Sequence, residues 1–362
     1  MRRVFYLKNE YFNAFPARSL LIAFSIYIKL SAMSPFLQES NRFAHALNEL
    51  KGKSVLVLGH RRPDGDCIGS QVGLTRILIE LGIDARAVNQ DPVPRTLSKF
   101  VGDTPFYSPD QIVEGDYTVV AVDCADRQRI GEELSKRFPK IFLNVDHHVS
   151  NNNYAEINFV LSDASATGEI LAKFFLDNEF RIDSTTADAL YVGIATDTGQ
   201  FCYGGTNASV FEVCRRLCEY GASPSSVAHE LYEREKPGRV QLLQRFLASF
   251  RMEHNDRVCI GTIRDSYYEE TNTQSEDAES FVDYARSMEG VEIGVLIEER
   301  KGKVKGSLRA KDSRYRVDML AKHFGGGGHA CAAGFNVGKS IDDFYSELVE
   351  AIGKHLEHAK GK

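Results

Sequence analysis

Three short apolar runs in the first half of the chain end abruptly in acids or imidazoles. Ser54-Val55-Leu56-Val57-Leu58 runs into Gly59-His60-Arg61-Arg62-Pro63-Asp64-Gly65-Asp66. Tyr117 to Val122 ends in Asp123, and Ile141 to Val145 leads into Asp146-His147-His148. A near-continuous apolar run of this length is the pattern of a strand covered on both faces, as in a parallel sheet flanked by helices. In such an open sheet the carboxyl ends of the strands face a common crevice, where ligands bind. Acids are rarely buried unpaired. Three strand ends that carry them therefore constrain the fold and its chemistry together.

The surrounding pattern agrees with that sheet. Apolar residues recur at helical spacing over Phe36 to Leu50, Ile68 to Leu81, Ala166 to Asn178 and Ser184 to Ala195. Gly82 stands at the C-cap of the second of these. Ala85 to Val88 reads as a further strand. Alternating strands and helices predict a doubly wound α/β domain with a parallel sheet over residues 34–228. Leu217 to Gln244 is helical and polar with Pro237-Gly238 at its centre, which places a hinged helical linker at 229–246. The remainder, 247–362, reads as a smaller mixed α/β domain. Its strands are Phe250–His254, Arg257–Ile263, Val291–Glu298 and Lys303–Leu308, and its helices are Glu276–Met288 and Val317–His323. Phe324-Gly325-Gly326-Gly327-Gly328-His329 follows the last helix. The expected active site is the cleft between the two domains.

Residues 1–33 differ from the rest, with a basic start and an apolar stretch from Ser19 to Leu30 broken by Lys29. The stretch is shorter than the ~20 residues that cross a bilayer. The preferred reading is that Met33 is the start of translation, ahead of a terminal extension and a signal peptide. The formal net charge of −6 speaks against a protein that grips long nucleic acid through a basic surface. Seven cysteines without zinc-type C-x-x-C pairs read as reduced thiols, which fits the cytoplasm. Cys67, Cys124 and Cys331 lie beside the polar motifs and are read as small packing residues.

The strand-end residues His60, Asp64, Asp66, Asp123, Asp146, His147 and His148 converge on the predicted crevice. Asp197, at the end of the helix that starts at Ser184, can point back into it, whereas Asp188 is expected to be solvated within that helix. Crowded carboxylates repel one another, and a divalent cation relieves the repulsion. A ligand set of oxygen and nitrogen alone suits Mn²⁺ or Mg²⁺. It holds more ligands than one ion with open positions needs, so two ions are expected, about 3.5–4 Å apart as in phosphoryl chemistry. The glycine run lets backbone N–H groups approach a phosphate closely, and the helix before it and His329 after it favour that reading over a flexible linker. Arg309, read alone, is a surface charge.

The ordered set His60-x3-Asp64-x-Asp66, Val122-Asp123, Asp146-His147-His148 and Thr196-Asp197-Thr198-Gly199 resembles the four motifs of the DHH phosphoesterase superfamily. Gly325-Gly326-Gly327-Gly328-His329 resembles the signature of the DHH-associated domain. Together the likeness spans about residues 36–355, and the plain two-domain layout is similar to the oligoribonuclease and 3′-phosphoadenosine-5′-phosphate phosphatase branch. The resemblance implies that His60, Asp64 and Asp123 hold one metal and that Asp66, Asp123, His147 and Asp197 hold the other. It implies that His148 faces the substrate phosphate and that Asp146 supports the histidines from behind. Ser307, Arg309, Gly326, Gly327, Gly328 and His329 would bind substrate.

The function so implied is two-metal hydrolysis of short oligoribonucleotides to 5′-mononucleotides and of 3′-phosphoadenosine-5′-phosphate to AMP. The alternative is a phosphodiesterase for cyclic di-AMP or its linear product pApA. A nucleotide-binding sensor without catalysis is the rival from another class. The implied partners are short RNA or small nucleotides and a second copy in a homodimer, with neither long duplex nucleic acid nor membrane.

Overall fold

The structure is a computed structural model and describes residues 37–360. The N-terminal extension 1–33 lies outside the described residues. The chain divides into two compact units, one ending at Arg234 and the other starting at Glu235. That boundary falls inside the segment read as a linker. Among the described residues no helix is long and apolar enough to cross a membrane.

The first unit is built on six strands: β1 (Ser54–Leu58), β2 (Asp84–Val88), β3 (Phe106–Tyr107), β4 (Thr118–Val122), β5 (Leu143–Asp146) and β6 (Ile157–Val160). All pair in parallel, in the order β3-β2-β1-β4-β5-β6. This is a doubly wound sheet, and the order reverses between β1 and β4, where ligand crevices form. The apolar runs explain their own placement: Val55, Val57, Val120 and Val122 fill the core on one face, while Leu56, Leu58, Val119 and Ala121 fill it on the other. Helices α1 (Leu37–Asn48), α2 (Gly65–Glu80), α3 (Thr167–Asp177) and α4 (Ser184–Asp197) cover the first face. Helix α2 begins three residues before the apolar periodicity does, because the Asp64 carboxylate accepts the Cys67 N–H at 3.1 Å and caps it.

Helices α2 and α4 lie very close along a glycine stripe, Gly65, Gly69 and Gly73. A Cβ at Gly69 would stand 2.2 Å from the Ala189 carbonyl oxygen, and one at Gly65 would stand 2.4 Å from Thr196 Oγ1. On the facing helix, a Cβ at Gly193 would stand 2.6 Å from Asp66 Oδ1. These contacts set the N-terminus of α2 beside the C-terminus of α4, so Asp66 and Asp197 meet.

The stretch read as one hinged helix is three: α5 (Ala208–Glu219), α6 (Pro224–Tyr232) and α7 (Pro237–Ala248). Gly221 at φ +102 ends the first, and proline sits at the N-terminus of each of the others, where its missing N–H costs nothing. Val227 belongs to the first unit's core, and Leu242 and Phe246 to the second's.

The second unit has its own six strands: β7 (Arg251–Glu253), β8 (Val258–Ile263), β9 (Ile293–Arg300), β10 (Lys303–Ala310), β11 (Gly327–His329) and β12 (Ala332–Val337). Their order is β11-β12-β10-β9-β8-β7, with β8 and β9 parallel and the other pairs antiparallel. Helices α7 and α8 (Phe281–Ser287) pack on one face through Phe246 and Phe281. On the other, α9 (Val317–His323) and α10 (Ile341–Lys360) pack through Leu320, Phe344 and Leu348. The predicted helix over Glu276–Met288 is shorter, because Ser280 takes φ +67 and separates a 3₁₀ turn from α8. Strands β3, β6, β11 and β12 and helix α10 were not expected from the sequence.

The glycine run is ordered secondary structure. Gly325, at φ +75, closes α9, with its N–H on the Lys322 carbonyl and the next N–H on that of Ala321. Gly327–His329 then forms the exposed edge strand β11.

Candidate metal centre

The residues expected at strand ends of the first unit come together beside the switch point. His60 follows β1 by two residues. Its Nδ1 lies 2.9 Å from the Arg61 carbonyl oxygen, which directs Nε2 inward. That nitrogen is 3.4 Å from Asp123 Oδ2 and 3.6 Å from Asp64 Oδ2. Asp64 thus serves twice, capping α2 with one oxygen and turning the other to His60. Asp123 follows β4 directly and holds φ +53, a left-handed conformation that Asp tolerates better than most residues. Its N–H donates to the Val145 carbonyl at 3.0 Å, and its Oδ1 accepts the Thr167 hydroxyl at 3.1 Å.

A second cluster shares that carboxylate. His147 Nε2 lies 3.7 Å from Asp123 Oδ1, 3.1 Å from Asp197 Oδ2 and 4.0 Å from Asp66 Oδ2. Asp66 is fully buried in the first turn of α2, where it accepts the N–H groups of Thr167 at 2.6 Å and Gly168 at 2.8 Å. The N-terminus of α3 therefore points its free donors at Asp66. Asp197 is the last residue of α4.

The DHH triplet divides its work. Asp146 is buried and accepts the His147 N–H at 2.9 Å and His148 Nδ1 at 2.8 Å on one oxygen. Its other oxygen accepts Asn151 Nδ2 at 2.6 Å. Asp146 therefore orients the His148 ring and fixes the backbone at His147. Burial works to raise the Asp146 pKa, but His148 and Asn151 outweigh it and hold the carboxyl below its usual range.

The electrostatics describe a site short of positive charge. Burial raises the Asp66 carboxyl well above its ordinary value, and Asp123 and Asp197 push it further. Burial and Asp123 likewise raise Asp197. Burial would lower the His147 imidazolium, yet Asp197, Asp66 and Asp123 together carry it up to about 10. The same contest at His60 is won by Asp123 and Asp64, again upward. The Nε2 atoms of His60 and His147 are buried and have no hydrogen-bond partner. Two inward imidazole nitrogens without partners, ringed by carboxylates and sharing Asp123, are a fitting donor set for two divalent cations. Ligand atoms of Asp66, His147 and Asp197 lie within 4.8 Å of one another, as do those of Asp123, His147 and His148. Cys67 Sγ stands equally near His60 and Asp123. Burial pushes this thiol up to about 11.

Other residues depart from expectation. Asp188 is half-buried and accepts the Ser223 N–H at 2.7 Å, so it ties α4 to the start of α6 and is not merely solvated. Arg61 and Arg62 are exposed. Arg129, Thr167 and Asn151 were not singled out in the sequence, yet all three touch the cluster. Arg129 Nη1 lies 3.3 Å from His148 Nε2. Its position in Asp126-Arg127-Gln128-Arg129, a capped turn close after a strand end, was the available signal.

In the second unit the sheet register gathers the remaining candidates. Arg309 pairs with Ala332, which pairs with His329, and Ser307 pairs with Gly334, which pairs with Gly327. Residues directly opposite share a face. Ser307, Arg309 and His329 therefore project from the same side, separated by Ala332 and Gly334. Gly326 and Gly328 lie against β12, where a Cβ would meet the carbonyls of Gly334 and Ala332 at 2.1 and 2.5 Å.

Comparison with known proteins gives a consistent result. The model of the DHH family, N-terminal domain, matches residues 54–194, and the DHHA1 domain matches residues 255–357. The chain is 28% identical over 317 residues to the bifunctional oligoribonuclease and PAP phosphatase NrnA of Thermus thermophilus, spanning 87% of this chain and 94% of that protein. It is 25% identical over 290 residues to the protein of the same name from Bacillus subtilis, spanning 78% and 89%. The crystal structure of an exopolyphosphatase-related protein from Bacteroides fragilis superposes with a TM-score of 0.79 at 21% identity, over 89% of this chain and 97% of that one, which establishes a shared fold. With its carboxylate- and imidazole-bearing strand ends inside the first match and its glycine run inside the second, this chain carries a DHH-family N-terminal domain followed by a DHHA1 domain.

Proposed function

We propose that the chain is a two-metal phosphoesterase that hydrolyses short oligoribonucleotides to 5′-mononucleotides and 3′-phosphoadenosine-5′-phosphate to AMP. The observation that carries this reading is the pair of ligand sets joined at Asp123. His60, Asp64 and Asp123 would hold one cation, and Asp66, Asp123, His147 and Asp197 the other. Mn²⁺ is the proposed ion, with Mg²⁺ able to substitute. Two such cations supply the charge that activates a water and neutralises the phosphoryl oxygens of an in-line displacement.

The protein's part is to hold that arrangement without rearranging during the reaction. Thr167 anchors Asp123, the α3 N-terminus anchors Asp66, and Asp146 fixes the His148 ring and the His147 backbone. His148, bonded to Asp146 through Nδ1, would face the substrate phosphate. In the second unit Ser307, Arg309, Gly326, Gly327, Gly328 and His329 would take the base or far phosphate of a short nucleotide. The names borne by the relatives, oligoribonuclease and PAP phosphatase, support the substrate class. All seven cysteines are free thiols, in keeping with a reducing compartment such as the cytoplasm.

A substrate panel tests the reading. Diadenylate, a ribopentamer, a long single strand, 3′-phosphoadenosine-5′-phosphate, pApA and cyclic di-AMP are assayed with Mn²⁺ and with Mg²⁺. The expected order places the short linear RNA and 3′-phosphoadenosine-5′-phosphate first and the long strand last. Fastest turnover of cyclic di-AMP or pApA would replace the reading with the cyclic-dinucleotide alternative. Tight nucleotide binding without turnover under either metal would make the chain a sensor.

A further inference from the structure

Arg129 is the one cation whose guanidinium, among the described contacts, touches the DHH triplet. It sits in the turn Arg127–Ile130. The Asp126 carboxylate accepts the N–H groups of Gln128 at 2.8 Å and of Arg129 at 3.2 Å, which fixes the start of that turn. The Arg129 carbonyl accepts the Arg61 N–H at 2.7 Å, which ties the turn to the loop carrying His60 and Asp64. A backbone held from both sides delivers a half-buried guanidinium to His148 Nε2 at 3.3 Å. The ring is held from its other nitrogen by Asp146 at 2.8 Å, so Nε2 is the acceptor that Arg129 meets.

This is an odd partner for an arginine. The guanidinium makes no ion pair among the described residues, although carboxylates crowd the same site. Its contact is a ring nitrogen at the long end of the hydrogen-bond range. An anionic oxygen would be a much better acceptor, because charge-assisted bonds are shorter and about twice as strong. The fork geometry of the guanidinium suits a tetrahedral phosphoryl group in particular.

We propose that Arg129 is a substrate-contacting residue, whose guanidinium leaves His148 Nε2 for a non-bridging oxygen of the phosphoryl group under attack. His148 and Asp146 act as its rest, holding the side chain pointed into the site until an anion arrives. The inference rests on the phosphoesterase reading above and adds a positive group that the metal ligands do not supply. No bond is made or broken by Arg129 itself, and the proton inventory is unchanged.

The test uses the full chain loaded with Mn²⁺ and three variants. Arg129→Gln keeps a donor for His148 but removes the charge, Arg129→Lys keeps the charge but loses the fork, and Arg129→Ala removes both. Kinetics on diadenylate, affinity for the product AMP and Mn²⁺ affinity by calorimetry are measured for each. Arg129→Gln is expected to lose roughly ten- to hundredfold in both kcat/KM and AMP affinity, the range of one hydrogen bond to a charged group. Its Mn²⁺ affinity is expected to stay within about twofold, because no contact to a metal ligand is removed. Arg129→Lys should recover part of the loss. Millimolar guanidinium chloride added to Arg129→Ala should restore activity, a response that a structural role would not give. Arg129→Gln with unchanged kcat/KM and AMP affinity would overturn the assignment. So would loss of Mn²⁺ affinity in Arg129→Gln together with no guanidinium rescue in Arg129→Ala. A wild-type protein inert on every nucleotide but binding AMP through Arg129 would instead overturn the functional reading and leave the anion contact standing.

Discussion

At the scale of single residues, Asp123 does the most with the least. It is the carboxylate that both imidazole clusters face, and it stands with a left-handed backbone directly after a strand. Such positions store about 1–3 kcal/mol of strain and persist only where the surroundings enforce them. The Thr167 hydroxyl and the Val145 carbonyl do so here. Asp123→Asn is therefore the informative substitution, since Asn also tolerates this conformation. The variant is expected to fold, with an unchanged circular dichroism spectrum, and to lose Mn²⁺-dependent hydrolysis of diadenylate to below about one per cent, the scale set by a removed electrostatic stabiliser. Substantial residual activity with ordinary metal dependence would remove Asp123 from its bridging role. The DHH triplet shows how much of a motif is visible before folding. Its acid and two imidazoles were legible as a site, but the division of labour among them follows from hydrogen bonds that no spacing encodes. Arg129 was hidden for a plainer reason. An arginine in a polar turn is ordinarily solvated, and only its distance to His148 marks it out.

At the scale of elements, the site depends on how closely two helices approach. Gly69 faces the Ala189 carbonyl with room for a hydrogen and no more. Alanine is the better helix former by roughly 1 kcal/mol. Even so, Gly69→Ala is expected to destabilise by about 1–3 kcal/mol through overpacking. For a unit of this size that lowers the melting temperature by several degrees, at about 2–4 °C per kcal/mol. Activity should fall further than stability, because parting α2 from α4 separates Asp66 from Asp197. A melting temperature equal to or above wild type would show that the helices can adjust.

The opposite end of α4 supplies a pH prediction. Asp183 caps this helix by accepting the Thr186 N–H at 2.8 Å, and it pairs with Arg76 at 2.5 Å. Burial works to raise the Asp183 carboxyl, but Arg76 and Thr186 outweigh it and bring the pKa down to about 2. A folded-state value below the unfolded one of about 3.9 adds stability that is present above that value and lost as the pH falls from about 4 towards 2. Asp183→Asn keeps a competent cap and loses the ion pair. The half-exposed pair is screened by solvent, so the cost at neutral pH should be at most about 1 kcal/mol. Melting curves of the two proteins should close most of their gap by about pH 2 and meet only below it, where the carboxyl is protonated in both states, and a gap undiminished at about pH 2 would locate the effect elsewhere. Helix existence was readable from apolar periodicity, but boundaries were not. Caps such as Asp64 extend α2 past its periodic residues, and a left-handed Ser280 cuts short a pattern that reads as continuous.

At the scale of the whole molecule, the two units carry separate cores, and the proposed metal ligands all lie in the first. Ions that bind only the folded form stabilise it by mass action, about 2.7 kcal/mol at a hundredfold excess over Kd. Scanning calorimetry with Mn²⁺ and then with a chelator should move the transition of the first unit upward with metal and leave that of the second in place. Equal movement of all transitions would mean that the units do not unfold separately. In the second unit the sequence was least informative. A glycine run has no side chains to form a pattern, so it pointed to close backbone approach but not to secondary structure. Its placement as a helix cap and an edge strand comes from close packing on β12 that only glycine allows.

The sequence by itself determined the parallel sheet, since strands covered on both faces must be apolar throughout. It also singled out the acids and imidazoles that the fold gathers, because such residues at strand ends stand out against an apolar background. Tertiary structure decided which of them face each other and at what distance, and which arginine joins them. Those outcomes depend on distances between elements far apart in the chain. Such distances are set by side-chain packing across helix and sheet faces, which no local pattern in the sequence records.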